Sequence, residues 1–250
     1  DPKTYRPAIG LIGCGGISEM HLRAYKNAGY EIAALCSRDR DRVEQRQQEF
    51  YPAAEIYLDY RDLLARDDIE VVDITPHPED RVPILEAAID AGKHILSQKP
   101  FVVNLDLGEQ LVERAVQRGI KLAVNQNGRW APHFSYMRQA VATGLVGTVQ
   151  SIHFAVHWDH NWIAATAFDE VEDLVLYDFG IHWFDMAVAL LGAEKPQRVY
   201  ASARRAADQE AQPPLLAQAA IECEEAHVSI AFNGNTRQGQ QDRTYLVGSE

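Results

Sequence analysis

The sequence predicts an α/β domain over residues 1–125 followed by an α+β domain over residues 126–250, and three observations carry that expectation. Short apolar runs alternate with amphipathic stretches through the first half, at the spacing of repeated strand–helix–strand units with a parallel sheet. Near residue 125 the alternation gives way to successive strand-like segments with one helical stretch among them. The chemistry changes there too, because all four tryptophans and five of the nine histidines fall between residues 130 and 183.

Taken in order, a strand over 8–12 precedes a helix over 17–28. Strands at 32–36, 71–75, 94–97 and 121–124 then alternate with helices at 39–50, 79–91 and 104–118. Gly29, Gly92 and Gly119 stand just past amphipathic stretches, where glycine ends a helix. In the second half strands are expected at 149–157, 197–204, 217–222, 226–232 and 243–247, with a helix at 179–191. Residues 205–214, Arg-Ala-Ala-Asp-Gln-Glu-Ala-Gln-Pro-Pro, read as an exposed connection. There is no internal repeat and no low-complexity tract.

Composition narrows the function. With 250 residues, 46% apolar and 24% charged, the chain is neither a disordered tail nor a disulfide miniprotein. Its 24 basic and 36 acidic side chains give a formal charge of −12, which repels a phosphate backbone, so nucleic acid is not an expected partner. Cys14, Cys36 and Cys223 form no metal-type pair, which fits a reducing compartment. No run approaches 18 apolar residues and Asp1–Arg6 lacks a secretory apolar region, so no membrane is expected and the cytoplasm is the expected location.

The first strand runs into Gly13-Cys14-Gly15-Gly16-Ile17-Ser18 and then a helix. This is the context of a dinucleotide-binding turn. Gly13 permits the tight turn, Gly15 lets backbone approach a pyrophosphate, and the helix N-terminus aims free N–H groups at the anion. Ser18 occupies the third glycine position. After the second strand an acidic residue would select an unphosphorylated ribose; Ser37-Arg38 stand there instead, and a hydroxyl and guanidinium suit a 2′-phosphate. NADP is therefore the expected cofactor, with NAD the other option. Arg38 can equally belong to a solvated helix start.

Thr75-Pro76 closes another strand at the carboxyl edge, either lining the dinucleotide or simply ending the strand. Lys99-Pro100 follows a strand at the same edge. A lysine over that crevice can hold or exchange a substrate proton, although a lysine before proline is also an ordinary loop residue. If Asp178-Phe179-Gly180-Ile181-His182-Trp183-Phe184-Asp185 opens a helix, Asp178 and His182 share a face, and Ile181, Phe184, Val188 and Leu191 fill the core side. A carboxylate beside an imidazole can make a general base; the other reading is an N-cap and a half-buried histidine.

Gly13-x-Gly15-Gly16-Ile17, Thr75-Pro76, Ala91-Gly92-Lys93-His94-Ile95, Lys99-Pro100 and Asp178-x-Gly180-x-His182-x-x-Asp185, in this order, resemble the glucose-fructose oxidoreductase / inositol dehydrogenase / rhizopine-catabolism (Gfo/Idh/MocA) oxidoreductases over the whole chain. The resemblance implies a Rossmann domain followed by a domain with a large, mostly antiparallel sheet that also makes the oligomer contact, as a homodimer or homotetramer. It implies Lys99, Asp178 and His182 as the catalytic group, with hydride transfer between nicotinamide and a secondary alcohol or ketone of a sugar, cyclitol or polyol. Asp185 is then a helix anchor. A non-catalytic NAD(P)-binding sensor and a nicotinamide-dependent glycosidase are the alternatives on this scaffold.

Some positions depart from the family pattern. Gln98 replaces the usual glutamate, His77 a frequent asparagine and Asp80 a common histidine, while residues 168–174 replace a glycine-rich approach to the catalytic helix with acidic residues. Asn127-Gly128-Arg129-Trp130 matches the family's domain junction, placing Asn127 near the cofactor and Trp130 near substrate, or serving as hinge packing. His157-Trp158-Asp159-His160-Asn161-Trp162 offers aromatic faces for a sugar ring, with His157, Trp158 and Trp162 the expected contacts and no metal expected. The segment 244–248 resembles a strand inside the family's sheet, so further strands are expected to follow Glu250, or a partner subunit to cover that edge.

Overall fold

The computed structural model describes residues 4–250; Asp1–Lys3, the beginning of the segment read for a secretion signal, lie outside them. The chain divides into two compact units between Asn125 and Gln126.

The first unit runs β1 (Ile9–Ile12), α1 (Ser18–Asn27), β2 (Ile32–Cys36), α2 (Arg40–Phe50), β3 (Glu55–Tyr57), α3 (Tyr60–Leu64), β4 (Val71–Ile74), α4 (Pro78–Asp90), β5 (His94–Gln98), α5 (Leu105–Gln117) and β6 (Leu122–Asn125). All its strand pairs are parallel, in the order β3-β2-β1-β4-β5-β6. Both faces are covered. Leu11 and Leu35 pack with Leu22, Val43 and Phe50 of α1 and α2 on one side. On the other, Ile12, Val72 and Ile74 pack with Leu63, Leu85, Ile89 and Leu111 of α3, α4 and α5.

Sequence signals explain the helix limits. Asp39 accepts from the Arg42 N–H at 3.2 Å and Asn104 from the Leu107 N–H at 3.1 Å, capping α2 and α5. Gly29, Gly92 and Gly119 follow α1, α4 and α5 with φ of 71°, 72° and 67°. Residues 51–70, to which the sequence assigns no element, hold β3 and α3. β3 is a three-residue edge strand with no buried side chain, and α3 is five residues long, both too short to show a period.

The second unit runs α6 (Pro132–Ala142), β7 (Val149–His157), α7 (Ile181–Leu191), β8 (Arg198–Arg204), β9 (Leu216–Glu222), β10 (His227–Asn233) and β11 (Gln241–Gly248). The five strands lie in the order β11-β7-β10-β9-β8, with β7 and β10 parallel and the other pairs antiparallel. One face carries Ile152, Phe154, Val156, Ala219, Val228, Ile230 and Phe232, and packs on Phe134 of α6 and Trp183, Met186 and Leu190 of α7. The opposite face stays open, with Tyr200 and Tyr245 exposed and His153 bonded to Ser229 Oγ at 2.7 Å and Ser151 Oγ at 3.0 Å.

Three expectations change here. The helix α6 was not anticipated. α7 starts at Ile181, and its buried residues are Trp183, Met186, Ala187, Leu190 and Leu191; Ile181 and Phe184 are half-buried and Val188 is 58% exposed. Both sets of residues recur at helical spacing along this almost wholly apolar helix, and the sheet covers the side that carries Trp183, Met186 and Leu190; a π turn over Val175–Phe179, closed by the Gly180 N–H donating to the Val175 carbonyl at 2.7 Å, precedes it. Residues 205–214 are not simply exposed, since Gln209, Ala211 and Pro213 are buried. The Gln209 carboxamide donates to the Ala211 and Pro213 carbonyls at 2.8 Å each and accepts from the Ala206 and Leu215 N–H groups, replacing the ladder bonds that a loop lacks.

Candidate functional site

In the first unit the sheet order reverses between β1 and β4, which opens a crevice outside their carboxyl ends. The four neighbouring strands β2, β1, β4 and β5 end there in Ser37-Arg38, Gly13–Ile17, Thr75–His77 and Lys99. Parallel strands thus gather residues separated by 86 positions along one edge.

Gly13 has φ of 102°, and a Cβ on it would lie 2.6 Å from Thr75 Oγ1 and 2.7 Å from Pro76 Cδ. The Thr75 hydroxyl donates to the Gly13 carbonyl at 2.7 Å, so the turns after β1 and β4 are bonded together through a glycine-only contact. Ser18, at the third glycine position, is fully buried and donates to the Gly15 carbonyl at 2.6 Å, so the hydroxyl closes the turn from within. A Cβ on Gly15 or Gly16 would meet nothing within 4 Å. That open cradle before the N-terminus of α1, with Ile17 as its N-cap residue, fits a pyrophosphate, to whose oxygens the backbone N–H groups of the turn would donate.

Ser37 Oγ accepts from the Asp39 N–H at 3.2 Å, and the exposed Arg38 pairs with Asp80 at 2.9 Å. His77 is the N-cap residue of α4, ahead of Pro78. Cys14 and Cys36 are buried beside the turn, and burial pushes both thiols up to about 12, so they stay protonated near neutral pH.

Lys99 follows β5 directly, joined to Pro100 by a cis peptide bond. The Gln98 carboxamide is held from below: its Oε1 accepts from Asn125 Nδ2 at 3.1 Å, and Asn125 Nδ2 lies 3.2 Å from His21 Nε2. His21 Nδ1 in turn pairs with Asp73 Oδ2 at 2.7 Å, which also accepts from the Tyr25 hydroxyl at 2.9 Å. Burial opposes the imidazolium, but the Asp73 hydrogen bond and charge outweigh it and hold His21 above its ordinary pKa. Sequence reasoning missed this network. Its signal was a carboxylate inside the apolar strand Val71-Val72-Asp73-Ile74, since a charge enters a core only with partners.

In the second unit, Asn127–Trp130 forms a 3₁₀ turn whose Arg129 is bonded to Asp185 of α7, so Asp185 acts as an anchor. A Cβ on Gly128 would lie 3.6 Å from His182 Nδ1, so this turn brings its backbone against the histidine. His182 is half-buried in the first turn of α7. Asp178 is buried within the π turn rather than at the N-cap, a position taken by Gly180. A Cβ on Gly180 would stand 2.7 Å from the Val175 carbonyl oxygen, which is why the Asp-x-Gly-x-His spacing needs glycine.

The aromatic segment separates into two groups. Trp158 is half-buried, edge-on to Trp183 at 5.5 Å, whereas Trp162 is 58% exposed beside Phe168 and Phe179. His157 ends β7 with Nδ1 3.0 Å from Gln241 Nε2, and Trp130 is exposed, with the Arg138 guanidinium 5.7 Å from its ring centre. His160 is stacked 4.5 Å from Phe179, and burial lowers its pKa. The acidic turn is structural at Asp169, which accepts from the Ala165 and Gln212 N–H groups. Among the described residues no three His, Cys, Asp or Glu side chains converge as metal ligands, and no helix is long and apolar enough to cross a membrane.

A six-stranded parallel sheet in this order, with a glycine turn at its switch point, defines a doubly wound, dinucleotide-binding class of protein. Comparison with known proteins makes this specific. The profile of the oxidoreductase family with NAD-binding Rossmann fold, GFO/IDH/MocA, matches residues 8–126, and the profile of the GFO/IDH/MocA C-terminal domain matches residues 134–250. The chain belongs to the GFO/IDH/MocA oxidoreductase family.

It is 31% identical over 189 residues to D-apiose dehydrogenase of Paraburkholderia graminis, an alignment covering 73% of this chain and 49% of that protein. It is 28% identical over 191 residues to inositol 2-dehydrogenase of Burkholderia multivorans, covering 74% and 55%. The chain therefore spans about half the length of the curated relatives it matches. A putative myo-inositol dehydrogenase from Sinorhizobium meliloti superposes with a TM-score of 0.85 at 25% identity, covering 97% of this chain and 74% of that one. Scyllo-inositol dehydrogenase from Lactobacillus casei, solved with NAD(H) and scyllo-inositol, shares the fold with a TM-score of 0.86 at 20% identity, covering 98% and 74%.

Proposed function

We propose that this chain is a nicotinamide-dependent dehydrogenase or reductase that interconverts a secondary alcohol and a ketone on a sugar, cyclitol or related polyol. The observation that carries the reading is the gathering of the Gly13–Ile17 turn, Thr75–Pro76 and Lys99 at adjacent strand ends around the switch point. D-apiose and inositols, named for two relatives, indicate the substrate class to try first.

Gly13, Gly15, Gly16 and Ile17 would hold the pyrophosphate, with Thr75, Pro76, His77, Lys99 and Asn127 bordering the rest of the dinucleotide. Ser37 and Arg38 support a preference for NADP, with NAD as the second cofactor. Turning Arg38 from Asp80 to a 2′-phosphate gives up an exposed ion pair worth about 0–1 kcal/mol and gains stronger charge-assisted bonds. When bound, the nicotinamide supplies a hydride acceptor or donor.

The chain's own residues would then handle the proton and the polyol. His182 takes the proton from the reacting hydroxyl, Lys99 polarises the same oxygen, and Asp178 orients the histidine or a neighbouring hydroxyl. Trp130, His157, Trp158 and Trp162 contact the polyol. Exposure favours Trp162 as the stacking face over the half-buried Trp158. The open sheet face of the second unit supports assembly as a homodimer or homotetramer, and the acidic charge agrees with a small-molecule substrate.

Titration with NADPH and NADH, followed by nicotinamide fluorescence, tests the cofactor reading: tighter NADPH binding supports Ser37 and Arg38 as phosphate readers, and tighter NADH binding removes that assignment. Hydride transfer on a panel of pentoses and cyclitols tests the activity. His182→Asn is expected to abolish turnover and keep dinucleotide binding, and unchanged turnover would refute its role as acid or base.

A further inference from the structure

Arg81 is 1% exposed and heads the fully buried side chains by size, a position that a cation occupies only when its donors are satisfied. It lies in the first turns of α4 and reaches two backbone segments. Its Nε and Nη2 donate to the Pro76 carbonyl at 2.9 and 2.5 Å. Its Nη1 donates to the Gln98 carbonyl at 2.5 Å, to the Pro100 carbonyl, and at 3.4 Å to the Phe101 carbonyl.

These acceptors are not scattered. Pro76 belongs to the turn after β4, while Gln98 and Pro100 are the residues on either side of Lys99 after β5. β4 and β5 are paired strands, with Ile74 opposite Ser97. One planar guanidinium therefore ties the two turns together at the carboxyl edge and holds the chain before and after Lys99. A guanidinium directs its hydrogens along fixed in-plane directions, so it sets where these carbonyls stand; an ammonium, a point charge on a flexible stem, cannot span both groups in that way.

We propose that Arg81 is a positioning residue for the reaction, fixing the place of Lys99 relative to the Thr75–Pro76 turn. The proposal rests on the reading of Lys99 as a group that acts on substrate. Arg81 touches neither substrate nor cofactor on this view. It acts through the backbone on both sides of the lysine, so its loss misplaces the Lys99 amine and leaves the glycine turn after β1 intact. Reactions that depend on a positioned group lose about 100-fold in rate for a displacement of order 1 Å.

The test reads Lys99 directly, in the full chain. Reductive methylation with ¹³C-formaldehyde gives each of the six lysines its own dimethylamine NMR signal, and Lys99→Arg identifies that of Lys99. In Arg81→Lys and Arg81→Met the Lys99 signal is expected to move, with those of Lys26 and Lys121 unchanged. Dinucleotide binding should persist, because the glycine turn after β1 is untouched, while kcat falls at least tenfold with KM little changed. A folded variant whose Lys99 signal matches that of the native chain would overturn the proposal.

A measurement on the native chain covers the case in which neither variant folds. The Arg81 Nε–H should exchange with solvent at least about 100-fold more slowly than that of the exposed Arg38; equal rates would overturn the proposal. Lys99→Met separates the two readings. If that variant keeps full hydride transfer, the catalytic role of Lys99 fails, while the NMR result still decides whether Arg81 positions it.

Discussion

Arg129 grips Asp185 through two parallel bonds, Nε to Oδ2 at 2.6 Å and Nη2 to Oδ1 at 2.5 Å, fastening the Asn127–Trp130 turn to α7. The Asp185 carboxylate is 13% exposed and keeps Arg129 charged, holding its pKa above the usual arginine value. Because the same turn presents Gly128 to His182, the pair fixes the backbone against which the histidine rests. Arg129→Lys and Asp185→Asn are each expected to lower stability by about 1–3 kcal/mol, since both abolish the fork while preserving much of the volume. Urea unfolding checks this, and a change below about 0.5 kcal/mol in both would show that packing alone holds the turn.

Gly13 and Gly15 are two residues apart in the same turn, yet their alanine variants should fail differently. Gly13→Ala places a Cβ against Thr75 and Pro76 at positive φ, so the fold itself loses about 1–3 kcal/mol. Gly15→Ala adds a methyl to open space and should leave the melting temperature unchanged while weakening dinucleotide binding at least tenfold, about 1.4 kcal/mol. Thermal unfolding alongside a fluorescence titration separates the two effects. Equal melting temperatures for the two variants would contradict the close contact at Gly13.

The pairing of His21 with Asp73 makes stability depend on pH. The folded-state pKa of His21 lies above its ordinary 6.5, so the charge-dependent stabilisation is fully present below that value and is lost as pH rises through the folded pKa. The stability difference between the native chain and His21→Gln should therefore be largest near pH 6 and shrink on the alkaline side of 6.5. Denaturant unfolding across pH 5.5 to 9, roughly the window in which histidine changes charge, gives this difference directly. A difference that stays constant over that range would mean that the folded pKa of His21 equals its ordinary value.

Gly180 has no room for a side chain, because its Cβ would lie 2.7 Å from the Val175 carbonyl that closes the π turn. Gly180→Ala should relax or break that turn, costing about 1–3 kcal/mol and displacing Asp178. The expected outcome is a lower melting temperature with turnover reduced more than dinucleotide binding. A variant with native stability and native turnover would show that the turn tolerates a wider path.

The first unit was the more legible of the two in sequence. Alternating apolar runs fixed its strands and helices to within a few residues, and the glycines after α1, α4 and α5 marked where helices stop, because those signals are local. Short β3 and α3 escaped for the same reason, having too few residues to show a period. α7 was found, but its buried face was misassigned: Ile181, Phe184, Val188 and Leu191 recur at helical spacing just as Trp183, Met186, Ala187 and Leu190 do, and only packing on the sheet chooses between the two stripes. Arg81 was also overlooked, although it shares the spacing of Ile84, Leu85 and Ala88 on the buried face of α4. A basic residue inside an apolar period is usually solvated, and only its acceptors show otherwise.

By itself the sequence determined the doubly wound sheet, the glycine turn after its first strand, and the residues that resemble the family's catalytic group, since each follows from short-range spacing. Tertiary structure alone decided what surrounds them: Thr75 pressed on Gly13, His21 paired with Asp73, and Arg81 closed around the turns beside Lys99. These contacts join residues that are distant in the chain, and a buried charge finds its partners only when the sheet brings separate strand ends together.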